Sequence, residues 1–518
     1  MSGAEPNAST QTDQSLTIAL DAGSGVPFYR QIYEALVARI RGGELAPGTR
    51  LPPSRTLATA LETHRNTVVR AFEELRRDGF IAGHVGRGSY VLAPPAPPRI
   101  WEVADPGVAP RGVAWDRLLS RAVEAEPLLR MQRLAAGGLD GDVINLSRMQ
   151  ASTDLLPHGA FRACLDHVMA TLGSEALGYA PGQGLERLRG AIATELARSG
   201  IKAGADDLLI TTGSQQALDL VARSLVDPGD AFLTEGPTYS GALNILTACR
   251  ADVIGVPGDD EGPDLRSLRF YERRRPKGLY LMPSSRNPTG TSISEARRRE
   301  LVAWSETAGV PLVEDDYGAD LELEPGAGLP PLRALSPEVI CVGTYSKKLI
   351  PALRVGFIVC PPAMRAPLTR LKHAMDLGTS TLLQHALAEF LERGLLAPHL
   401  AHVTAIYRER RDALASALRE SLPAEVVFGI PERGVVLWLS LPPRLDPEVA
   451  YEAARHEGVL VSSGSVYSSS GPAAAGLRLT YCAEPAERLV EGAARLGRAL
   501  KKVMARRTSV RRMELMGA

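Results

Sequence analysis

The sequence predicts an α/β protein in which a small helical domain precedes a larger domain built on a mostly parallel sheet. Three observations predict this fold class. Residues 26–92 contain three helical patterns and then two short strand patterns around a glycine-rich turn. From about residue 116 onward, apolar runs such as "DLLIT", "PLVED" and "GFIVC" alternate with amphipathic helices, as in a parallel sheet covered on both faces. Between the two, "LAPPAPPRIWEVADPGVAPRG" is rich in proline and predicts an extended spacer.

The length of the chain also indicates more than one domain, because 518 residues exceed what a single hydrophobic core supports. The predicted segments are a flexible N-terminal segment over 1–25, the helical domain over 26–92, a Pro-rich linker over 93–140, the sheet domain over 141–505 and a basic tail over 506–518. We expect the tail, "RRTSVRRMELMGA", to be a frayed and solvated end.

Composition narrows the class of protein. The formal net charge is zero, which excludes a protein that is polybasic overall but leaves room for a local basic patch. The five cysteines are scattered without a CxxC pair, so we expect a reducing compartment, no disulfide framework and no metal site. The first 25 residues lack the basic-then-apolar order of a signal peptide, and no run of 18 apolar residues occurs. We therefore expect a cytoplasmic protein without a membrane span.

The helical domain has the element order of a winged helix-turn-helix. In "PFYRQIYEALVARIRGGEL", Ile32, Leu36 and Ile40 fall on one helical face, and the glycine pair ends the helix. "APGTRLPPSRTLATAL" predicts a turn and a short helix with Ser54 as its N-cap. "ETHRNTVVRAFEELRRDGF" predicts a longer helix, and "IAGHVGRGSYV" predicts two short strands joined by a glycine-rich turn.

The charge of this domain favours nucleic acid. Residues 26–92 contain ten Arg and no Lys against five Glu and one Asp, a net charge of +4. Arginine neutralises phosphates and can also pair with guanine edges. The first two turns of the third helix, where a recognition helix meets base edges, carry Arg65, Asn66, Thr67 and Arg70. The alternative is a protein–protein module with a solvated arginine face.

The chain resembles the GntR-type winged helix domain over about residues 28–92. The matching segments are "LAPGTRLPPSRTLATAL…RNTVVRAFEELRRDGFI…GRGSYV". The resemblance implies that double-stranded operator DNA is the partner. It further implies that Arg55 and Arg65 contact DNA and that the wing tip, with Arg87 and Gly88, touches the backbone or the minor groove. One departure is "LETH" before the third helix, which places His64 at the start of the recognition helix.

In the sheet domain, several polar side chains follow predicted strands. Lys347 comes just after the buried run "VICVG", and a lysine there can form a Schiff base with an aldehyde cofactor when its amine is deprotonated. Pyridoxal phosphate also needs backbone amides at a helix start for its phosphate, a carboxylate against its ring nitrogen and a flat side chain over the ring. The candidates are Ser214 and Gln215 after "LLITTG", Tyr239 in "GPTY", Asn287 in "NPTG", Asp315 and Tyr317 in "EDDYG", and Arg354 in "ALRVG".

Each of these residues taken alone is more often a turn, surface or packing residue, and it is their joint order after successive strands that predicts a site. That order resembles the class I and II aminotransferases of fold type I, over roughly residues 141–505. The resemblance implies that Lys347, and not Lys348, is the catalytic lysine that binds the cofactor. It gives Asp315 the ring nitrogen, Tyr239 the ring face, and Asn287 and Tyr317 the phenolic oxygen. The phosphate group is assigned to Ser214, Gln215, Thr344 and Arg354.

Three further positions follow from the same resemblance. Tyr179 in "YAPGQGLERLR" corresponds to a tyrosine that reaches the phosphate of the neighbouring subunit, which implies a homodimer. Arg478 in "GLRLTYC" corresponds to the residue that binds the carboxylate of a substrate or effector through a bidentate guanidinium. Arg433 in "PERGVVLW" departs from the usual pattern and is expected to add charge near the smaller C-terminal part.

The two halves together resemble the MocR family of bacterial transcription regulators. The resemblance implies a head-to-tail homodimer that is associated with the nucleoid when bound to operator DNA, and a second domain that senses pyridoxal phosphate or a small amino-compound effector. The alternative is a functional aminotransferase with an appended DNA-binding domain, whose transaminase activity would turn over at ordinary rates. A third hypothesis makes the second domain a dimerisation scaffold only.

Overall fold

The structure, a computed structural model, describes residues 18, 20, 28–41, 45, 49–61, 63–77, 80–84, 88–92, 113, 115–125, 127–129, 142–324, 326, 328–469 and 473–516. The chain divides into two compact units, Met1–Trp115 and Asp116–Ala518. Each unit has its own hydrophobic core and is described by itself.

The first unit contains the predicted three helices and the hairpin. Its elements are α1 (Phe28–Arg41), β1 (Arg50–Leu51), α2 (Ser54–Ala60), α3 (Arg65–Arg77), β2 (Ile81–His84) and β3 (Gly88–Val91). The strands form an antiparallel sheet in the order β1-β3-β2, so the short β1, which sequence analysis did not predict, joins the hairpin. Ile32, Leu36 and Ile40 are buried as predicted, against Val68 and Phe72 of α3. This is the winged helix-turn-helix predicted from the sequence.

The predicted role of Ser54 as an N-cap is wrong. Ser54 is the first helical residue of α2, and the N-cap position is taken by Pro53, with φ −53° and ψ 143° and no side-chain capping bond. Proline suits this position because its fixed φ matches the extended backbone that precedes a helix.

The second unit holds most of the helices and strands. Its strands are β4 (Ile144–Asn145), β5 (Leu208–Thr211), β6 (Ala231–Glu235), β7 (Asp252–Val256), β8 (Gly258–Asp259), β9 (Gly262–Pro263), β10 (Leu279–Leu281), β11 (Leu312–Asp316), β12 (Ile340–Thr344), β13 (Gly356–Val359), β14 (Val427–Phe428), β15 (Val436–Ser440), β16 (Val459–Leu460), β17 (Ser462–Ser463) and β18 (Gly476–Thr480). Its helices, after α4 (Trp115–Leu118), are α5 (His158–Leu172), α6 (Glu186–Arg198), α7 (Gly213–Leu225), α8 (Ser240–Ala248), α9 (Leu265–Tyr271), α10 (Glu295–Ala308), α11 (Leu332–Leu335), α12 (Pro362–Asp376), α13 (Thr381–Glu392), α14 (Leu396–Ser421), α15 (Pro447–His456) and α16 (Ala486–Met516).

The large sheet has seven strands in the order β5-β13-β12-β11-β10-β6-β7. Every pairing is parallel except those of β13, which runs antiparallel to both β12 and β5. Helices cover both faces because side chains alternate along each strand. Tyr280 of β10 faces the core that α7 and α8 share with the sheet, whereas Leu279 and Leu281 face the core formed with α10. The prediction of a mostly parallel sheet with helices on both faces is confirmed.

A smaller antiparallel sheet, β14-β15-β18-β17, forms the second part of this unit. Its apolar face packs with α14, α15 and α16 around a core that includes Leu437, Leu479 and Tyr451. Strand β4 pairs in parallel with β16, so the segment before α5 belongs to this smaller part.

Two expectations about chain segments differ from the structure. The predicted linker over 93–140 contains α4 and a 3₁₀ turn, Arg121–Glu124, so its second half is not purely extended. The predicted frayed tail is helical in its backbone, since α16 continues to Met516. The sequence is compatible with this, because Arg, Met, Glu and Leu are frequent there and neither Gly nor Pro occurs before Gly517. Among the described helices, none is long and apolar enough to cross a membrane.

Candidate functional site

The candidate site is a cavity of about 550 Å³ at the carboxyl edge of the large sheet. Because strands β5, β6, β10, β11 and β12 are parallel, their carboxyl ends meet at one edge, where open sheets bind ligands. The cavity brings together ten of the eleven residues predicted for the cofactor and the ligand carboxylate: Ser214, Gln215, Tyr239, Asn287, Asp315, Tyr317, Thr344, Lys347, Arg354 and Arg478.

The adjacent lysines after β12 have different environments. Lys347 Nζ lies in the cavity and donates to the carbonyl oxygen of Met149 at 2.5 Å. Burial lowers the pKa of Lys347, and the nearby Arg478 and Arg354 lower it further. A lowered pKa increases the fraction of neutral amine, the nucleophilic form.

Lys348, in contrast, forms a salt bridge with Asp320 outside the cavity lining. Although burial acts to lower it, the Asp320 carboxylate raises the pKa of Lys348, so this lysine stays charged. The geometry thus separates a lysine suited to nucleophilic chemistry from one suited to an ion pair.

The amino end of α7 supplies the backbone donors of the cavity. The helix begins at Gly213 with φ +80°. The Thr212 side chain does not cap it, and the Gln216 side chain accepts from Thr212 N, so the amides that follow Thr212 are available to an anion. Arg354, itself at φ +49°, donates to the carbonyl oxygen of Thr212 at 3.3 Å and lies against this end. Glycine suits position 213 because of its positive φ, and a Cβ atom there would lie 2.8 Å from Arg354 Nη2 and displace the guanidinium.

Asp315 is the buried acid of the site. Its Oδ2 accepts a hydrogen bond from the Tyr280 hydroxyl at 2.7 Å, whereas its Oδ1 is buried and has no partner. Burial raises the pKa of Asp315 to about 7. A buried oxygen without a partner is costly, so the site is built for a donor that the chain itself does not provide. An N–H of a bound group would satisfy this oxygen.

The remaining predicted residues surround the space between Asp315 and Lys347. Tyr239 donates to Gln215 Oε1 at 3.2 Å, and burial raises its pKa to about 12. The Tyr317 hydroxyl lies 3.2 Å from Ser285 Oγ, and Asn287 Oδ1 accepts from Arg478 Nη1 at 3.2 Å.

Arg478 lies on β18, an inner strand of the smaller sheet, and lines the cavity with 8% of its surface exposed. Its Nη2 donates to the carbonyl oxygen of Ser147 at 2.7 Å. Its Nε is buried and has no partner, so hydrogen-bonding capacity remains for a ligand.

Tyr179 does not line the cavity of its own chain. It lies in the loop before α6, and 91% of its surface is exposed. Its predicted role in a neighbouring subunit stays a prediction. Arg433 is buried and paired with Glu322 at 2.8 Å, so its charge is neutralised within the chain.

Sequence reasoning missed several residues that line the cavity. Ser346 Oγ is buried without a partner between Thr344 and Lys347, and its position in "TYSKK" was the available signal. Met149 comes from the segment after β4, where no pattern pointed to a site. Tyr467, with its ring 5.5 Å from the Arg478 guanidinium, had no signal in the sequence either.

The predicted DNA contacts lie on the surface of the first unit. Arg55 is exposed on α2, and Arg65 and Asn66 are exposed on the first turn of α3. Thr67 is half-buried beside them. Gly88 begins β3, and Arg87 lies outside the described residues.

Arg70 differs from the other predicted contacts. Its guanidinium carbon lies 3.8 Å from the centre of the Tyr29 ring on α1. This cation–π contact ties α3 to α1, so Arg70 is partly engaged within the domain before any DNA is bound.

Comparison with known proteins gives two family matches. Residues 28–91 match the model of the bacterial regulatory proteins of the gntR family, and residues 141–496 match aminotransferase class I and II. The chain is 30% identical over 487 residues to the uncharacterized HTH-type transcriptional regulator YdfD of Bacillus subtilis, covering 93% of this chain and 98% of the relative. It is 31% identical over 481 residues to the probable rhizopine catabolism regulatory protein MocR of Rhizobium meliloti, covering 92% and 94%.

A solved structure of similar fold is LysN, the alpha-aminoadipate aminotransferase of Thermus thermophilus, in complex with N-(5'-phosphopyridoxyl)-L-leucine. It superposes with a TM-score of 0.70 at 32% identity and covers 76% of this chain and 100% of that chain. The match therefore extends over a complete aminotransferase.

Proposed function

Because the chain belongs to the MocR-type helix-turn-helix regulators, which join a GntR-family DNA-binding domain to an aminotransferase-like domain, we propose that it senses an amino compound through pyridoxal phosphate. The fold implies this cofactor, since the class I and II aminotransferases depend on it. The observation that carries the proposal is the convergence of Lys347, Asp315 and the open end of α7 on one cavity.

The residues present fit pyridoxal phosphate. The amides of Ser214 and Gln215 and the Arg354 guanidinium would hold the phosphate, with Thr344 beside them. The unpartnered Asp315 Oδ1 would accept a hydrogen bond from the ring nitrogen, and Tyr239 would cover the ring. When bound, the cofactor supplies an aldehyde that condenses with primary amines, which makes the cavity selective for amino compounds.

The chain's own side chains determine how an amino ligand would be held. The lowered pKa of Lys347 keeps a share of its amine neutral and able to exchange with the amine of a ligand. Arg478 would bind a carboxylate through its Nε, which has no partner in the chain, and through Nη1, whose partners are the Met149 sulfur and Asn287 Oδ1. Asn287 and Tyr317 would orient the phenolic oxygen of the cofactor between them.

At the other end of the chain, the exposed Arg55, Arg65 and Asn66 would contact operator DNA, with the wing around Gly88 beside them. An effector regulates such a protein only if it binds the DNA-competent and DNA-incompetent states with different affinity. We place the protein in the bacterial cytoplasm, as a head-to-tail homodimer in which the exposed Tyr179 reaches the partner's phosphate site.

A working aminotransferase is the second candidate function. The similarity to LysN and the ten predicted residues that line the cavity favour it. Turnover of an amino acid and a keto acid at about 1–10³ per second would establish it as the main role, because these are ordinary enzyme rates.

The test is a selection of operator sequences from random double-stranded DNA by the full-length protein loaded with pyridoxal phosphate. Its affinity for the selected sequence is then measured with and without a panel of amino compounds, and with Lys347→Ala in parallel. We expect a defined sequence and a change in affinity that Lys347→Ala abolishes. A protein that selects a sequence but responds to no amino compound would contradict the sensor, and a protein that selects none would contradict the regulator.

A further inference from the structure

Met149 connects the two basic side chains that an amino acid ligand would engage. Its carbonyl oxygen accepts from Lys347 Nζ at 2.5 Å. Its Sδ lies 2.9 Å from Arg478 Nη1 and 3.4 Å from Asn287 Nδ2. Met149 therefore contacts both the lysine that would meet the amine of a ligand and the arginine that would meet its carboxylate.

The contact between the Met149 sulfur and the Arg478 guanidinium is a weak interaction for a buried cation. A thioether sulfur is a weak acceptor, whereas a carboxylate forms short, charge-assisted bonds with a guanidinium. Arg478 also retains a buried Nε without a partner. A carboxylate that reaches Arg478 would therefore replace the Met149 sulfur with a stronger partner.

The backbone around Met149 is held in place, whereas its side chain, which packs against two hydrophobic cores, can change rotamer. The surrounding main chain is attached to β18 and its continuation, since Thr480 N donates to the Leu146 carbonyl at 2.7 Å and Thr480 Oγ1 to the Arg148 carbonyl at 3.0 Å. After Met149, Ser152 N donates to the Cys482 carbonyl at 3.0 Å. Methionine has three rotatable side-chain bonds and adapts to its surroundings.

We propose that the Met149 side chain covers Arg478 and must turn away before the carboxylate of an amino ligand can bind. Met149 is then a specificity-determining residue, which disfavours carboxylate-bearing ligands relative to simple amines. The inference rests on the proposed function, because it concerns the ligand of the same cavity.

The test compares L-leucine with isoamylamine, which is the same molecule without the carboxylate. Full-length protein loaded with pyridoxal phosphate is titrated with each compound while the absorbance of the bound cofactor is followed. The variants are Met149→Ala and, as the matched control, Gln150→Ala. Gln150 lies on the same segment, but its side chain accepts from Arg148 at 2.9 Å and does not line the cavity.

We expect Met149→Ala to bind L-leucine about tenfold more tightly than the wild type, because no side chain has to leave Arg478. Its affinity for isoamylamine should stay within about twofold of the wild type, because that compound has no carboxylate to reach Arg478. Both affinities of Gln150→Ala should also stay within about twofold, because this substitution leaves the Met149 side chain over Arg478. Cofactor content and the melting temperature of each variant show that the fold is intact.

Equal changes for both compounds, no change for L-leucine, or the same gain in Gln150→Ala would overturn the inference and leave the proposed function standing. A wild-type protein that binds no pyridoxal phosphate, or whose spectrum responds to neither compound in any variant, would contradict the proposed function and this inference with it.

Discussion

The two units of this chain place their candidate functional residues in opposite ways. In the first unit, Arg55, Arg65 and Asn66 lie within twelve residues of sequence and are exposed on neighbouring helices. In the second unit, Met149 and Arg478 touch although 329 positions separate them, and the residues around them are mostly buried. A DNA-binding surface needs cations on one accessible face, whereas a cofactor pocket needs burial to shift pKa values and to leave donors unsatisfied.

The largest effect that we expect concerns the two adjacent lysines of the second unit, Lys347 and Lys348. Lys347→Ala should abolish covalent retention of pyridoxal phosphate, because the amine that binds it is gone. Lys348→Ala should retain the cofactor, since Lys348 pairs with Asp320 and does not line the cavity. Absorbance of the cofactor after extensive dialysis measures both variants. Equal retention by the two would contradict the separate roles given to these lysines.

In protein from which the cofactor has been removed, burial of the Asp315 carboxyl should make the free energy of unfolding depend on pH. Burial raises the pKa of this carboxyl from 3.8 to about 7, so between these pH values the unfolded chain ionises while the folded chain keeps its proton. The contribution of Asp315 to stability is therefore lost as pH rises from about 4 to 7. Glu314, with a pKa raised to about 7 by burial and Asp316, acts in the same direction in wild type and variant.

Asp315→Asn isolates this contribution. The difference in free energy of unfolding between variant and wild type should be near zero at pH 4 and should reach at most about 4 kcal/mol in favour of the variant at pH 8. Urea unfolding at a series of pH values measures it. A difference that does not depend on pH would show that Asp315 is ionised in the folded protein at all of these pH values.

For the first unit, Arg65→Ala should weaken binding to the selected operator by roughly 1–3 kcal/mol and relax the preference at one base pair. The reason is the exposed position of Arg65 at the start of α3, where side chains reach base edges. Binding to operator variants substituted at each position measures the effect. Uniform weakening on all sequences would make Arg65 a phosphate contact instead.

The smallest effect on DNA binding is expected for Arg70→Ala. Because its guanidinium stacks on Tyr29, the substitution should reduce the stability of the first unit by about 0.5–1 kcal/mol and change operator preference less than Arg65→Ala. Thermal unfolding and the same operator panel test it. A loss of base preference as large as that of Arg65→Ala would show that Arg70 contacts base edges, and would contradict the smaller effect expected from its stacking on Tyr29.

The same comparison shows how far sequence reasoning reaches. The winged helix-turn-helix and the parallel sheet were predictable, because each follows from hydrophobic periodicity over a continuous stretch. Lys347, Asp315 and Asn287 could be placed in one cavity because each follows a strand of one parallel sheet, and strand ends meet at a common edge. Their roles in binding a cofactor stay predictions.

Met149 could not be found in this way, and the signal for Ser346 was its place beside Lys347 in "TYSKK". Met149 enters the cavity from the smaller part of the unit, through a chain pairing between β4 and β16 that no local pattern encodes. Ser346 matters only because its hydroxyl is buried without a partner, which is a property of the packed structure. The helical continuation of α16 lies within reach of sequence reasoning, because neither Gly nor Pro interrupts the segment that leads to Gly517.

The most direct test of the account is reduction of the cofactor-loaded protein with borohydride, followed by peptide mapping. The account predicts a single phosphopyridoxyl group, on the peptide that contains Lys347, and its loss in Lys347→Ala. A protein that takes up no label, or carries it on Lys348 or elsewhere, would contradict the claim that this cavity binds pyridoxal phosphate through Lys347.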